Sequence, residues 1–361
     1  MQRPAPSLKQ RVVQNNVTVH YYINMLIENI KSPADIKNLP AEKLRLLAAE
    51  IRGGILKRDS MIGGHVGPNL GFVEATIALH YVFNMPKDKI VFDVSHQIYP
   101  HKMLTGRAYG FIDSTRMAEV SGYSSPAESP EYDCFEIGHT STSVALATGL
   151  QKARDILGGK ENVVAVIGDG SLSGGEAFEG FDMAAELGTN IIIVVNDNEM
   201  SIAENHGGLY RNLKLLRETN GEAELNIFKA MGFEYKYVEH GNNIEALIEA
   251  FKAVKDTPHP TVVHIHTEKG HGWDPAVENK ERWHWNMPFD IETGELKPVE
   301  AKESSAQILG NWLREEMKRD EKLVCISAAV PASLGFGPEQ RREAGAQHVD
   351  VGIAEEEAVA M

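Results

Sequence analysis

The sequence predicts an α/β fold: a doubly wound parallel sheet, followed by the start of a second α/β domain. Two observations carry this. Short apolar runs such as VVAVI (163–167) and IIIVV (191–195) read as buried strands, and they alternate with stretches of helical length and helical apolar spacing. A Gly-rich turn, GDGSLSGG (168–175), leaves the first run and enters a helix-like stretch, which is where such sheets bind anionic ligands.

The elements follow in order. Residues 1–24 are poorly patterned and read as an N-terminal arm, with better patterning from Met25. Behind Pro40, the stripe Leu44, Leu47, Ala48, Ile51 and Ile55 predicts a helix over 41–56. A second helix is expected through GFVEATIALHYVF (71–83), and KIVFDVS (89–95) reads as a strand. Residues 106–137 are polar and turn-rich. A helix begins near Ser143, followed by strand 163–168, helix 174–187, strand 190–196, a loop and an amphipathic helix at 222–232. Strand 234–239, helix 243–255 and strand 261–267 complete a first domain over 25–270. The Gly/Pro/Trp-rich stretch 271–302 reads as a linker or active-site loop. Helix 303–317, strands 322–328 and 348–354, and a helix start at Glu355 open a second domain over 303–361. That is about one third of a typical domain length, so the second domain is expected to be incomplete within the sequence.

Composition narrows the function. Of 361 residues, 42% are hydrophobic and 24% charged, as in ordinary soluble proteins of about two domains. A net charge of −15 with no dense Lys/Arg run argues against nucleic acid or an anionic membrane as partner. No apolar run is long enough to span a bilayer. Cys134 and Cys325, both in apolar surroundings, fit a reducing compartment. The expected location is cytoplasmic.

The turn GDGSLSGG raises the question of which phosphate it faces. A dinucleotide fingerprint needs Gly at its sixth position, where this chain has Ser173, and a Walker loop needs a Lys that GGEA lacks. Asp169 instead sits at the end of one strand, and Asn198 follows the next strand 29 residues later, in NDNEMS. In a βαβ unit these ends are neighbours, and their oxygens suit a hard cation such as Mg²⁺ with diphosphate completing its coordination. The glycines let the backbone approach, and helix 174–187 is expected to point its positive end at the anion. GDG with Asn-x-Asn at this separation is the thiamine-diphosphate signature.

Around this core the chain resembles the 1-deoxy-D-xylulose-5-phosphate synthases, a family of transketolase-like thiamine-diphosphate enzymes. The resemblance rests on residues 63–107 (GGHVGPNLG through DVSHQIYPHKMLTGR), on EYDCFEIGHTSTSVALATGL (131–150), and on GDGSLSGG and NDNEMSIAENHGG (196–208). HIHTEKGHGW (264–273), WHWNMPFD (283–290) and VDVGIAEEEAV (349–359) extend it. It implies that Asp169, Asn198 and the Met200 carbonyl hold Mg²⁺. It places His96 near the cofactor, His65 beside the reacting ring, and Gly138, His139, Thr140 and Ser141 along the diphosphate with Gly168, Gly170 and Ser171. Lys269 and His284 match the family's substrate-side loop, and Glu355 the carboxylate that bonds the aminopyrimidine ring. Developing alkoxides need a proton or hydrogen bond, a task suited to imidazoles. The implied substrates are pyruvate and glyceraldehyde 3-phosphate, and the implied assembly is a homodimer.

The chain also departs from the family pattern. Glu356-Glu357 stands where Gln-His is common, GYSSPAES lacks a basic residue, and Trp273 replaces an aromatic hydroxyl. The alternatives are a transketolase-type ketol transferase, or a non-catalytic cofactor-binding half that needs a partner. His80, His101, His264 and His266 read as packing residues rather than ligands, Trp283 and Trp285 as loop packing or substrate contact.

Overall fold

The computed structural model describes residues 25–298 and 304–361. The arm expected at 1–24, the end of the linker and the first residue of the helix expected from 303 lie outside the described residues. Helices α1 (Ala41–Ile62), α2 (Val66–Gly71) and α3 (Val73–Val82) precede strand β1 (Lys89–Phe92). Then come α4 (Ser143–Ile156), β2 (Val163–Gly168), α5 (Gly175–Leu187), β3 (Ile192–Asp197) and α6 (Leu209–Glu218). β4 (Glu234–Val238), α7 (Ile244–Val254) and β5 (Thr261–His266) close the unit, with shorter helical turns between elements.

The five strands form one parallel sheet in the order β1-β2-β3-β5-β4. Successive strand residues face opposite sides. Ile90, Phe92, Val164, Val166, Ile192, Val194, Val263 and Ile265 pack with α1, α3 and α7 in one apolar core. Val91, Val163, Ala165, Ile167, Ile193, Val195 and Val262 pack with α4, α5 and α6 in the other. Helices on both faces explain why the strands read as continuous apolar runs rather than alternating ones.

Several expectations need correction. The amphipathic helix expected at 222–232 is only the turn Ile227–Ala230, capped by Asn226 and ended by Gly232 at φ +98°. The long helix of this region is α6, in the stretch read as a loop, where Leu213 and Leu216 are buried. The helix expected at 71–83 breaks at Phe72, and α2 takes up most of GGHVGPNLG. The strand expected over 89–95 stops at Phe92 because Val94 (φ 59°) and Ser95 (φ 83°) turn the chain through the left-handed region. A β-branched residue there is strained, and it lies at the sheet edge where the site forms.

The second unit contains α8 (Ser305–Met317), β6 (Cys325–Ser327), α9 (Pro338–Ala344), β7 (His348–Asp350) and α10 (Glu355–Ala360). Its two strands pair in parallel but are shorter than expected. Its small core holds Met317, Cys325 and Phe336. A Cβ on Gly310 of α8 would lie 2.7 Å from Gly335 Cα and 2.8 Å from its carbonyl oxygen. Gly310→Ala is therefore expected to push α8 off that turn at a cost of roughly 1–3 kcal/mol. Amide exchange should show faster opening of α8 with the main sheet unchanged. Among the described residues no helix is long and apolar enough to cross a membrane.

Candidate active site

β2 and β3 pair with Gly168 opposite Asn196, so Asp169 and Asn198 emerge at the same sheet edge. A cavity opens there, lined by His96, Thr140, Gly168, Asp169, Gly170, Ser171, Asn198, Met200, Lys269 and His284, among others. Asp169 is 1% exposed and, among the described residues, the only carboxylate in that lining. Asn205 Nδ2 donates to its Oδ2 at 2.7 Å. Burial, followed by the nearby Asp197 charge, pushes the Asp169 carboxyl up to about 7. Asn198 Oδ1 is buried without a hydrogen-bond partner.

A hard cation fits this donor set. It would compensate the buried carboxylate and satisfy the orphaned amide oxygen, as one-carboxylate Mg²⁺–phosphate sites do. Among the described residues no group of three or more His, Cys, Asp or Glu forms a metal cluster. Such a cation would therefore depend on oxygens from its ligand. Asp197, by contrast, is engaged away from the cavity. Arg217 Nη1 lies 2.5 Å and His264 Nε2 2.9 Å from its Oδ2.

The expected helix start is displaced. Gly170–Ser173 form a 3₁₀ turn and α5 begins only at Gly175, so that turn, not α5, presents backbone N–H groups nearest the cavity. Gly170 is required by packing, since a Cβ there would lie 2.7 Å from Ser201 Oγ.

The imidazoles come together through backbone pairing between distant segments. Gly64 and Asn286 exchange hydrogen bonds of 2.9 and 3.0 Å, Gly67 N donates to Trp283 O at 2.7 Å, and Gly270 N donates to Gly67 O at 3.0 Å. These contacts gather GGHVG, WHWN and EKGHG. The His65 ring centroid lies 6.3 Å from that of His96 and 5.6 Å from that of His284, and His96 stacks on His284 at 5.8 Å. Lys269 Nζ donates to Ser201 O at 2.5 Å and lies 3.1 Å from His284 Nδ1.

Burial, with the neighbouring cation and imidazoles, lowers the whole cluster. His65 falls to about 4, His96 to about 3, His284 well below the ordinary value, and Lys269 to about 7. The folded pKa of each His lies below its unfolded value, so the unfolded chain binds more protons between the two. The stability these sites contribute is present above about pH 6.5 and lost as pH falls through the folded values. The expected NMR result is that these imidazoles keep neutral-form shifts from pH 8 down to 5.5. Protonation of any of them near pH 6.5 would contradict this.

Other expected residues stand outside the cavity wall. The Ser141 hydroxyl donates to Ser171 O at 2.8 Å and its N–H to Asp93 Oδ1 at 2.9 Å, so this Ser braces the loop instead of facing the cavity. Gly138, His139 and Glu355 do not line the cavity; Glu355 Oε1 lies 3.7 Å from His139 Nε2, and both side chains are exposed. Trp283 is buried against Trp273 and Phe289, whereas Trp285 is half exposed. His264 is held by Tyr235 and Asp197, and His80 and His101 lie in a buried chain ending at Asp133.

Sequence reasoning missed the residues that build this frame. Asn69 Nδ2 donates to both His65 O and His96 O at 2.7 Å, and its Oδ1 accepts from Tyr99 N at 2.8 Å. Asp93 holds the N–H groups of Ser141 and Ser143. Gln97, Asn196 and Ser201 line the cavity. Lone amides and a lone Asp carry no periodic or spacing signal. Their roles follow only from the turns that bring them together.

The fold is a doubly wound parallel α/β sheet with a cavity at the C-terminal ends of β2 and β3. The solved structure of transketolase from Campylobacter jejuni matches with a TM-score of 0.53 at 16% identity, over 89% of this chain and 48% of its own. Transketolase from Leishmania mexicana matches with a TM-score of 0.51 at 15% identity, over 86% and 60%. At such identities these likenesses show the fold.

A family model described as 1-deoxy-D-xylulose-5-phosphate synthase matches residues 27–225. Curated relatives carry the same description. The Desulforudis audaxviator protein is 40% identical over 93% of this chain, and the Listeria monocytogenes protein 39% identical over 94%. The chain belongs to the 1-deoxy-D-xylulose-5-phosphate synthase family. It spans 58% and 57% of the length of those two relatives.

Proposed function

We propose that the cavity binds thiamine diphosphate through a divalent cation such as Mg²⁺. In this reading the chain serves a transferase reaction: decarboxylation of pyruvate and joining of the remaining two-carbon unit to glyceraldehyde 3-phosphate. The product is 1-deoxy-D-xylulose 5-phosphate, a precursor for isoprenoid and thiamine synthesis. The observation that carries the reading is a buried carboxylate, Asp169, at the same strand edge as the partnerless Asn198 Oδ1. The reading carries with it a cytoplasmic homodimer, from composition and from the family resemblance.

Asp169, Asn198 and the Met200 carbonyl would hold the cation. Gly168, Gly170, Ser171 and Thr140 line the same space for the diphosphate, and Gly138 and His139 immediately precede Thr140 in the chain. When bound, thiamine diphosphate supplies a nucleophilic ring carbon and a place for the electron pair left by departing CO₂. The protein's part is proton handling and exclusion of water. His65, His96 and His284 are neutral at physiological pH, so each is able to accept a proton and return it. Lys269 Nζ, lowered to about 7 and 3.1 Å from His284 Nδ1, is poised to exchange a proton with that imidazole. Glu355 would supply the carboxylate for the cofactor's aminopyrimidine.

The test is CO₂ release from pyruvate by the purified chain with thiamine diphosphate and Mg²⁺, with and without glyceraldehyde 3-phosphate. Release stimulated by the aldehyde is expected, and His284→Asn should slow it by about a hundredfold or more. A cofactor-loaded protein that releases no CO₂ would refute the proposed reaction for this chain. Ketol transfer from xylulose 5-phosphate without pyruvate turnover would favour the transketolase alternative.

A further inference from the structure

Arg341 takes no part in the proposed chemistry, yet it touches both loops that serve it. It lies on α9 in the second unit, and its side chain is 14% exposed. Nη1 donates to Glu281 Oε1 at 3.1 Å and Nη2 to Glu281 Oε2 at 3.1 Å. The same Nη2 donates to Glu204 Oε2 at 3.0 Å. A planar guanidinium suits this two-carboxylate grip in a way that a lysine ammonium does not.

Each carboxylate belongs to a loop of the site. The Glu281 carbonyl accepts the N–H of His284 at 3.2 Å, so Glu281 sits in the turn that presents that imidazole. Glu204 bridges to Met200 and precedes Asn205, whose amide holds Asp169. One side chain thus ties the second unit to the His284 turn and to the cation-side hairpin. A second link runs beside it: Ser173 Oγ donates to Ile353 O at 2.8 Å, and Ile353 walls the cavity.

We infer that Arg341 is a positioning residue that couples docking of the second unit to the order of both site loops. It acts through Glu281 and Glu204 and not on the ligand itself. The inference rests on the reading of the cavity as a metal–diphosphate site, but the clasp is measurable without ligand.

Hydrogen exchange on the ligand-free full chain provides that measurement. Arg341→Ala should raise exchange in peptides covering 199–206 and 279–285 together, by at least fivefold, while β2 and β3 stay unchanged. Arg341→Lys, a milder change that keeps the charge, should give an intermediate rise. Swapping the charges with Arg341→Glu and Glu281→Arg should restore protection at 279–285 but not at 199–206, where Glu204 then faces a glutamate. Calorimetry with thiamine diphosphate and Mg²⁺ should show about tenfold weaker binding for Arg341→Ala. Exchange unchanged in either loop, or raised equally across the whole chain, would overturn the coupling. If the wild-type chain binds no thiamine diphosphate, the cofactor reading fails, and the exchange result still decides the clasp.

Discussion

Asp169→Asn is expected to abolish metal-dependent cofactor binding while raising the melting temperature of the ligand-free protein at pH 8. The two effects have one cause. Asp169 is buried at the strand edge, and its carboxyl is pushed up to about 7, chiefly by desolvation. Its folded value lies above its unfolded one, so the folded state holds the proton more tightly. The stability tied to that proton is present below about pH 4 and lost as pH rises through 7. At pH 8 the buried charge costs on the order of a few kcal/mol, because one pKa unit is about 1.4 kcal/mol. The amide keeps the shape and an oxygen for Asn205 but removes the charge. Scanning calorimetry should show a rise of several degrees at pH 8 that shrinks at pH 5. Binding of thiamine diphosphate with Mg²⁺ should fall at least a hundredfold, since a neutral amide replaces the only carboxylate that lines the cavity among the described residues. Undiminished affinity would remove Asp169 from the cation site, whatever the melting temperature did.

Asn69→Leu should be the most damaging single change to the frame of the site. The Asn69 side chain satisfies the carbonyls of His65 and His96 and the N–H of Tyr99, and the residue is fully buried. Leucine has similar volume but leaves the His96 carbonyl and the Tyr99 N–H unpaired in the interior, while the His65 carbonyl keeps its bond within α2. At about 1–3 kcal/mol for each unsatisfied group, the loss is roughly 2–5 kcal/mol even after partial relaxation. Urea unfolding followed by circular dichroism should show the midpoint falling sharply with little change in slope. Asn69→Asp retains the acceptor for Tyr99 but loses both donors, so it should recover only part of the loss. A leucine variant as stable as wild type would mean that the two histidine turns are held by other contacts.

The sheet was legible in the sequence because both of its faces are covered. VVAVI and IIIVV are apolar throughout, and the helices between them carry clear stripes, so strand and helix could be told apart by pattern alone. Legibility failed where short-range geometry overrides pattern. Val94 and Ser95 end β1 early in left-handed conformations, and the Asn226 cap and Gly232 reduce an expected helix to one turn. At the site, Asp169 and Asn198 could be paired from the sequence because consecutive parallel strands place their ends together. His65, His96 and His284 come from three distant segments, and residue spacing alone does not join them. That link came from resemblance, and the backbone pairing of Gly64 with Asn286 and of Gly67 with Trp283 now gives it a physical cause. Asn69, Asp93 and Arg341 gave no signal at all, since single polar residues reveal their partners only once the chain has folded.

Isothermal titration of the purified chain with thiamine diphosphate, in Mg²⁺ and again in EDTA, decides whether this chain's own strand edge holds a metal–diphosphate ligand. One cofactor per chain is expected in Mg²⁺ and no detectable binding in EDTA, with Asp169→Asn silent in both. Binding that is equally tight in EDTA, or no binding in Mg²⁺, would contradict it.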